Sequence, residues 1–131
     1  MQKKDANRMG RLAEQAAARK YHLRLERDSW HDARWKTNGS PVDVKAAKYK
    51  KGSRYGRFML WRGQHRQLRE RQGGYVLAVV GENNDSLRVL KMAKVGCREL
   101  ERQVDPNWYS MSNKKDSHGT KIPWPRLVNY R

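Results

Sequence analysis

Asp32 and, after ten intervening residues, the triplet Asp43-Val44-Lys45 are the residues whose types and spacing could do chemistry. Two carboxylates held close together repel unless something positive lies between them. Hard divalent cations such as Mg2+ favour carboxylate oxygens together with water. An ion so held would bridge protein and phosphodiester, polarise the phosphorus and lower the pKa of a water molecule. Lys45 would orient or activate that water and stabilise developing charge. On a solvated strand the same charges would be an ordinary ion-paired surface, nearly neutral in energy. What decides between the two is whether the chain folds these side chains together.

The intervening sequence predicts how it would. Asn38-Gly39 lies between the runs "HDARWK" and "PVDVKAAKY", and Asn-Gly between such runs is a strong signal for a two-residue type I′ hairpin. Thr37 would then face Ser40, with Lys36 opposite Pro41, Arg34 opposite Asp43 and Asp32 opposite Lys45. Paired residues project to the same face and side chains alternate along each strand. Asp32, Asp43 and Lys45 therefore share one face, and Ala33, Trp35, Val42, Val44 and Ala46 share the core face.

Other elements must support that hairpin. Residues 7–20 carry Met9, Leu12, Ala13, Ala16 and Ala17 at helical spacing among good helix formers. "YHLRLER" alternates as a half-buried strand does. Residues 57–72 are expected to form a second helix with Phe58, Trp61 and Leu68 towards the core, weakened by Gly63 at about 1 kcal/mol relative to Ala. "YVLAVVG" is apolar without a break, as in a strand buried on both faces. "LRVLKMA" predicts a further strand and "VGCRELERQV" a short helix. From Asp105 onward no period is visible. The expected order is α-β-β-β-α-β-β-α, a small mixed α/β domain over residues 1–104 followed by a basic, aromatic-containing arm over 105–131.

Charge points to the partner. The chain of 131 residues carries a formal net charge of +17, an excess that favours a polyanion through steering and counterion release. Val44 to Arg69 contains nine Lys or Arg and no acidic residue, so the carboxylates adjoin a strongly basic surface. Lys48, Lys50, Lys51 and Arg54 follow the triplet, while Arg62, Arg66 and Arg69 recur at helical spacing as a stripe that could follow a phosphate backbone. No apolar run approaches the roughly 20 residues of a membrane span, and the N-terminus lacks the apolar stretch of a secretory signal. With Cys97 the single cysteine, an intracellular, cytoplasmic setting is expected.

Asp32, the Asp43-Val44-Lys45 triplet and the order of elements resemble the PD-(D/E)xK nuclease superfamily. "GRLAE" (10–14) looks like the Gly and Glu on the first helix of archaeal Holliday junction resolvases and restriction-type endonucleases, and Ser29 in "SWHD" like the Ser before their first metal-binding Asp. The likeness covers roughly residues 8–93. It implies a restriction-endonuclease-like core (α-β-β-β-α-β) and Mg2+-dependent hydrolysis of DNA, with Mn2+ as a substitute ion. Asp32, Asp43 and the Val44 carbonyl would be the metal ligands. Lys45 would position or activate water, and Glu14 would assist the metal or its water shell. The substrate would be branched or duplex DNA, and a junction-resolving enzyme would be a symmetric homodimer. His31 replaces the Pro that often precedes the first Asp, and the second acid is Asp rather than the commoner Glu.

Other functions remain open from the residues alone. A non-catalytic nucleic-acid-binding protein would carry the same charges in salt bridges, and a restriction or repair nuclease acting on linear duplex would use the same fold. Gln64 and Gln67 stand where some superfamily members carry a functional Gln, although a solvated helix face explains them better. The histidines and Cys97 lack paired metal-ligand spacing, which argues against a structural zinc site. Trp108, Tyr109 and Trp124 would either stack on bases or pin the arm to the body.

Overall fold

The computed structural model describes residues 3–26, 31–84, 86–110 and 118–129. Helix α1 (Lys3–Tyr21) is followed by β1 (Leu23–Leu25), β2 (Ala33–Trp35), β3 (Pro41–Lys48), β4 (Arg57–Trp61), α2 (Arg62–Glu70), β5 (Gly74–Asn83), β6 (Ser86–Gly96), α3 (Cys97–Gln103), β7 (Tyr109–Ser110) and β8 (His118–Pro123). A single 3-10 turn, Trp124–Arg126, closes the described chain. The main sheet has the order β1-β2-β3-β5-β6, and a smaller one has the order β4-β8-β7. This is the mixed α/β architecture that the sequence predicts.

β3 and β5 pair in parallel while their outer neighbours run antiparallel. The unbroken "YVLAVV" of β5 lies between β3 and β6 with every side chain buried, because both of its faces are covered. On one face α1 lays Ala13 and Ala17 against Ala33, Val42, Val44 and Val76. These small side chains, one helical turn apart, let the helix approach the sheet closely. On the other face Tyr75, Leu77 and Val79 pack with Phe58, Leu60, Leu68, Leu100 and Trp124.

Three expectations are corrected. Residues 57–61 form strand β4, not the first turn of the second helix. "RFMLW" alternates exposed and buried positions, so Phe58 and Leu60 enter the core while Trp61 faces outward at 37% exposure. The segment after 105 is not irregular throughout. β8 pairs with β4 from Arg57↔Pro123 to Trp61↔Gly119, and Ile122, Trp124 and Val128 belong to the same buried cluster as Tyr75.

The third correction concerns the hairpin register. Ala33 pairs with Val42 and Arg34 with Pro41, two residues away from the expected alignment. Only Gly39 has a left-handed backbone, at φ +73°, whereas a type I′ turn needs two such residues. Asn38 instead accepts the Ser40 N–H through Oδ1 at 2.9 Å, and the loop closes where the Gly39 N–H donates to the Trp35 carbonyl at 2.8 Å. A slip of two leaves every side chain on its expected face. It changes what lies opposite what.

Candidate active site

In the observed register the residue one step beyond Ala33↔Val42 is Asp32, opposite Asp43 rather than Lys45. Regular pairing ends there. The Asp32 N–H donates to the Val42 carbonyl at 3.1 Å, and its Oδ2 accepts the Val44 N–H at 3.0 Å. A side-chain oxygen thus stands where a backbone carbonyl would continue the ladder, which turns the Asp32 carboxylate onto β3. The chain entering this position is held as well. The Glu26 N–H donates to the Asp32 carbonyl at 2.8 Å, and Arg34 Nε lies 3.0 Å from Glu26 Oε1. The hydrogen bond from Arg34 holds the Glu26 carboxyl below the usual carboxylate range. His31 is buried beside the same carboxylate, with Nε2 3.4 Å from Oε1.

Asp43 is 4% exposed, so it is interior rather than solvated, while Asp32 and Lys45 on the same face are half-buried. Lys45 Nζ lies 2.9 Å from Asp43 Oδ2. Burial pushes the Asp43 carboxyl up to about 7; Lys45 opposes the shift, and the charge and hydrogen bonding of Asp32 add to it. The physical cause is desolvation of an anion that one ammonium only partly offsets. Asp43 and Lys45 lie in register with Tyr75 and Leu77 of β5, which supply apolar neighbours on that face.

Glu14, Asp32 and Val44 line a cleft of about 360 Å³ with Asn7, Gly10 and Arg11. Asp43 and Lys45 do not line it, because they alternate with Val44 along β3. The structure therefore brings Asp32, Asp43 and Lys45 together and sets Glu14 on the same cleft as Asp32 and Val44. Asp32 belongs to both groups. Among the described residues no three His, Cys, Asp or Glu side chains converge closely enough to hold an ion unaided. The oxygens available are two carboxylates and the Val44 carbonyl, a hard donor set that fits Mg2+ or Mn2+ completed by water. A buried carboxyl raised to about 7 beside a half-buried one is also what a divalent cation would relieve.

The expected basic residues divide between surfaces. Lys48, Lys51 and Arg54 line a larger cleft of about 780 Å³ that begins at Ala46 on β3. Lys50 places Nζ 3.8 Å from the centre of the Tyr55 ring, a cation–π contact. Arg62, Arg66 and Arg69 lie on α2, where Arg69 pairs with Glu101 at 3.3 Å. Gln64 is half-buried on the same helix. Ser29 lies outside the described residues.

One buried polar chain has no counterpart in the sequence reading. His65 Nδ1 is 2.8 Å from the Tyr75 hydroxyl and Nε2 is 2.9 Å from Glu101 Oε2, joining α2, β5 and α3. Trp108 packs at a tilt against His65 with ring centres 5.5 Å apart, so it pins the chain after α3 to the body. A lone His on a helix with no partner spacing carries no signal for such a network. Cys97 opens α3 and is buried, and desolvation pushes its thiol up to about 12, consistent with a packing role.

A family profile described as a PD-(D/E)XK nuclease superfamily domain matches residues 1–129. Comparison with curated protein sequences gave no match.

Proposed function

Since the chain belongs to the PD-(D/E)XK nuclease superfamily, we propose that it is a Mg2+-dependent DNA endonuclease whose site is built on Asp32, Asp43, Val44, Lys45 and Glu14. The observation that carries this reading is the buried Asp43 carboxyl, with the half-buried Asp32 carboxyl beside it and Lys45 2.9 Å away. A solvated ion-paired surface would not need to bury one carboxyl next to another.

Asp32, Asp43 and the Val44 carbonyl would hold the ion. When bound, a divalent cation supplies Lewis acidity towards a phosphodiester oxygen and makes water a better nucleophile. The chain's own residues do the rest. Asp32 fixes the β3 backbone by accepting the Val44 N–H, and so sets the direction of the Val44 carbonyl. Lys45, in the middle of β3, orients the attacking water and meets negative charge developing on phosphorus. Glu14 bounds the cleft from α1 and accepts hydrogen bonds from water there. Lys48, Lys50, Lys51 and Arg54, with Arg62, Arg66 and Arg69 on α2, hold the phosphate backbone. In-line attack would leave a 5′-phosphate and a 3′-hydroxyl. Among the described residues no helix is long and apolar enough to cross a membrane, and the chain would act on DNA inside the cell.

Within this class the reading is a structure-selective nuclease resembling Holliday junction resolvases, working as an isologous homodimer that cuts two strands symmetrically. The test is cleavage of four-way junction, linear duplex and single-stranded DNA with Mg2+ and with Mn2+, by wild type and Asp43→Ala. Junction cleavage by wild type, lost in the variant while binding is retained, supports it; preference for linear duplex would replace resolution by a restriction or repair role. One observation favours a second reading, a non-catalytic DNA-binding protein: Lys45 already offsets the Asp43 charge. Binding without cleavage in either metal would establish that alternative.

A further inference from the structure

The outward face of the β4-β8-β7 sheet carries chemistry that the catalytic site does not use. Gly119 of β8 is in register with Trp61 of β4 on one side and with Tyr109 of β7 on the other. Residues in one register row project to the same face, so the two aromatic side chains flank a glycine. Both are exposed, Trp61 at 37% and Tyr109 at 58%. Only a glycine fits there, against Met59 and β4. A Cβ at Gly119 would lie 2.8 Å from the Leu60 carbonyl oxygen, 2.4 Å from Met59 Cε and 3.1 Å from Trp61 Cε3.

The remainder of this face combines Met59 and Pro123 with two cations. Alternation along β4 and β8 puts Arg57 and Lys121 on it, both exposed, while Phe58, Leu60 and Ile122 point into the core. Arg57 and Lys121 are also part of the larger cleft, together with Lys48, Lys51 and Arg54. That cleft begins on β3, and from Asp43 to Lys48 the strand spans about 16 Å at its usual rise per residue. A row of exposed aromatics thus runs into a cationic trough leading along β3 from the carboxylate pair.

Duplex bases are stacked on each other and offer no free ring face to Trp61 or Tyr109. Unpaired bases do, and aromatic stacking beside a cationic groove is the general means of holding single strands. We propose that Trp61 and Tyr109 form a stacking platform for unpaired bases, so that the substrate is DNA presenting a single-stranded segment next to the cleavage point. This rests on the reading of the chain as acting on DNA, and it adds which part of a branched substrate the protein grips.

The test is fluorescence anisotropy of a labelled oligothymidylate and of a blunt duplex annealed from two fully complementary strands, in chelator so that no cleavage intervenes. Wild type, Trp61→Ala, Trp61→Phe, Tyr109→Ala and Lys121→Ala are compared. Each aromatic-to-Ala change is expected to weaken single-strand binding about 5- to 150-fold, the range for one stacked base. Duplex binding should move much less, and Trp61→Phe should restore most of the loss. Lys121→Ala should lower the salt-dependence slope by about 0.7. Tyr109→Ala, at the most exposed position, keeps the test decisive if Trp61→Ala fails to fold. Equal single-strand affinity in wild type and Tyr109→Ala, or equal losses on both DNAs, would overturn the platform. A parallel cleavage assay with Mg2+ separates the two readings. Cleavage with no aromatic effect leaves the nuclease and removes the platform, while an aromatic effect without cleavage does the reverse.

Discussion

Lys45 Nζ lies 2.9 Å from Asp43 Oδ2 in an interior where the carboxyl is 4% exposed. A single ammonium at that distance does not cancel the cost of burial, since the carboxyl is still pushed up to about 7. Buried carboxyls shifted in this way are common at functional sites, and this one is where we propose that a divalent cation binds.

Asp43→Asn and Lys45→Ala are both expected to reduce Mg2+-dependent DNA cleavage by about 10²- to 10⁴-fold, the usual range for removing a group that handles protons or charge in the transition state. The two should differ in metal titration. Asp43→Asn removes an oxygen anion from the ion's surroundings and raises the Mg2+ concentration at half-maximal rate. Lys45→Ala leaves that concentration similar or lower and acts on the maximal rate. A rate titration against Mg2+ at fixed DNA distinguishes them.

The raised carboxyl predicts a pH dependence of stability with a definite sign. Asp43 titrates near 3.8 when unfolded and near 7 when folded, so between those values the native state holds a proton that the unfolded chain has lost. In metal-free protein this contribution is full below pH 4 and is lost as pH rises to 7, at up to about 1.4 kcal/mol per pH unit. Urea denaturation of wild type and Asp43→Asn at pH 4.5 and 7.5 checks it. The variant should gain relative to wild type at the higher pH. With Mg2+ present the difference should shrink, because the ion takes the place of the proton.

Trp124→Ala tests whether the C-terminal strand and turn belong to the body. Its indole is fully buried, its N–H donates to the Tyr49 carbonyl at 2.9 Å, and its ring packs on Tyr49 and Tyr55. Truncation should cost about 3–5 kcal/mol, read as a lowered urea midpoint. A loss below about 1 kcal/mol would mean that the segment folds back only loosely.

Cys97 is expected to be inert in the native protein. Its thiol is buried and pushed up to about 12, so almost no thiolate exists at neutral pH. Ellman's reagent should react with one thiol per chain only after denaturant is added, and Cys97→Ala should leave DNA cleavage within about twofold of wild type on the same assay.

Much of this protein is legible in its sequence where neighbouring residues carry the information. The alternation of "PVDVKAAK" sets which side of β3 each residue faces, and "YVLAVV" can only be an interior strand. The helix at 7–20 follows from its alanine stripe, and the excess of Lys and Arg names a polyanion. "RFMLW" was less plain, because its alternation is only five residues long and runs without a break into the helix formers of α2. Its strand identity depends on β8, a partner from the far end of the chain.

Residue types and spacing thus determined the candidate chemistry: Asp32, the Asp43-Val44-Lys45 triplet, Glu14 and a basic surround. The tertiary structure decided the environment in which those groups sit. The register depends on how Asn38 and Gly39 share the turn, and that choice sets Asp32 against Asp43 instead of Lys45. Burial of Asp43 depends on Tyr75 and Leu77, contributed by a strand beyond two intervening elements. Desolvation is a sum over neighbours brought together by folding, so no local pattern around Asp43 contains it. The row of Trp61, Gly119 and Tyr109 has the same origin, since three strands distant in sequence meet only when the sheet forms.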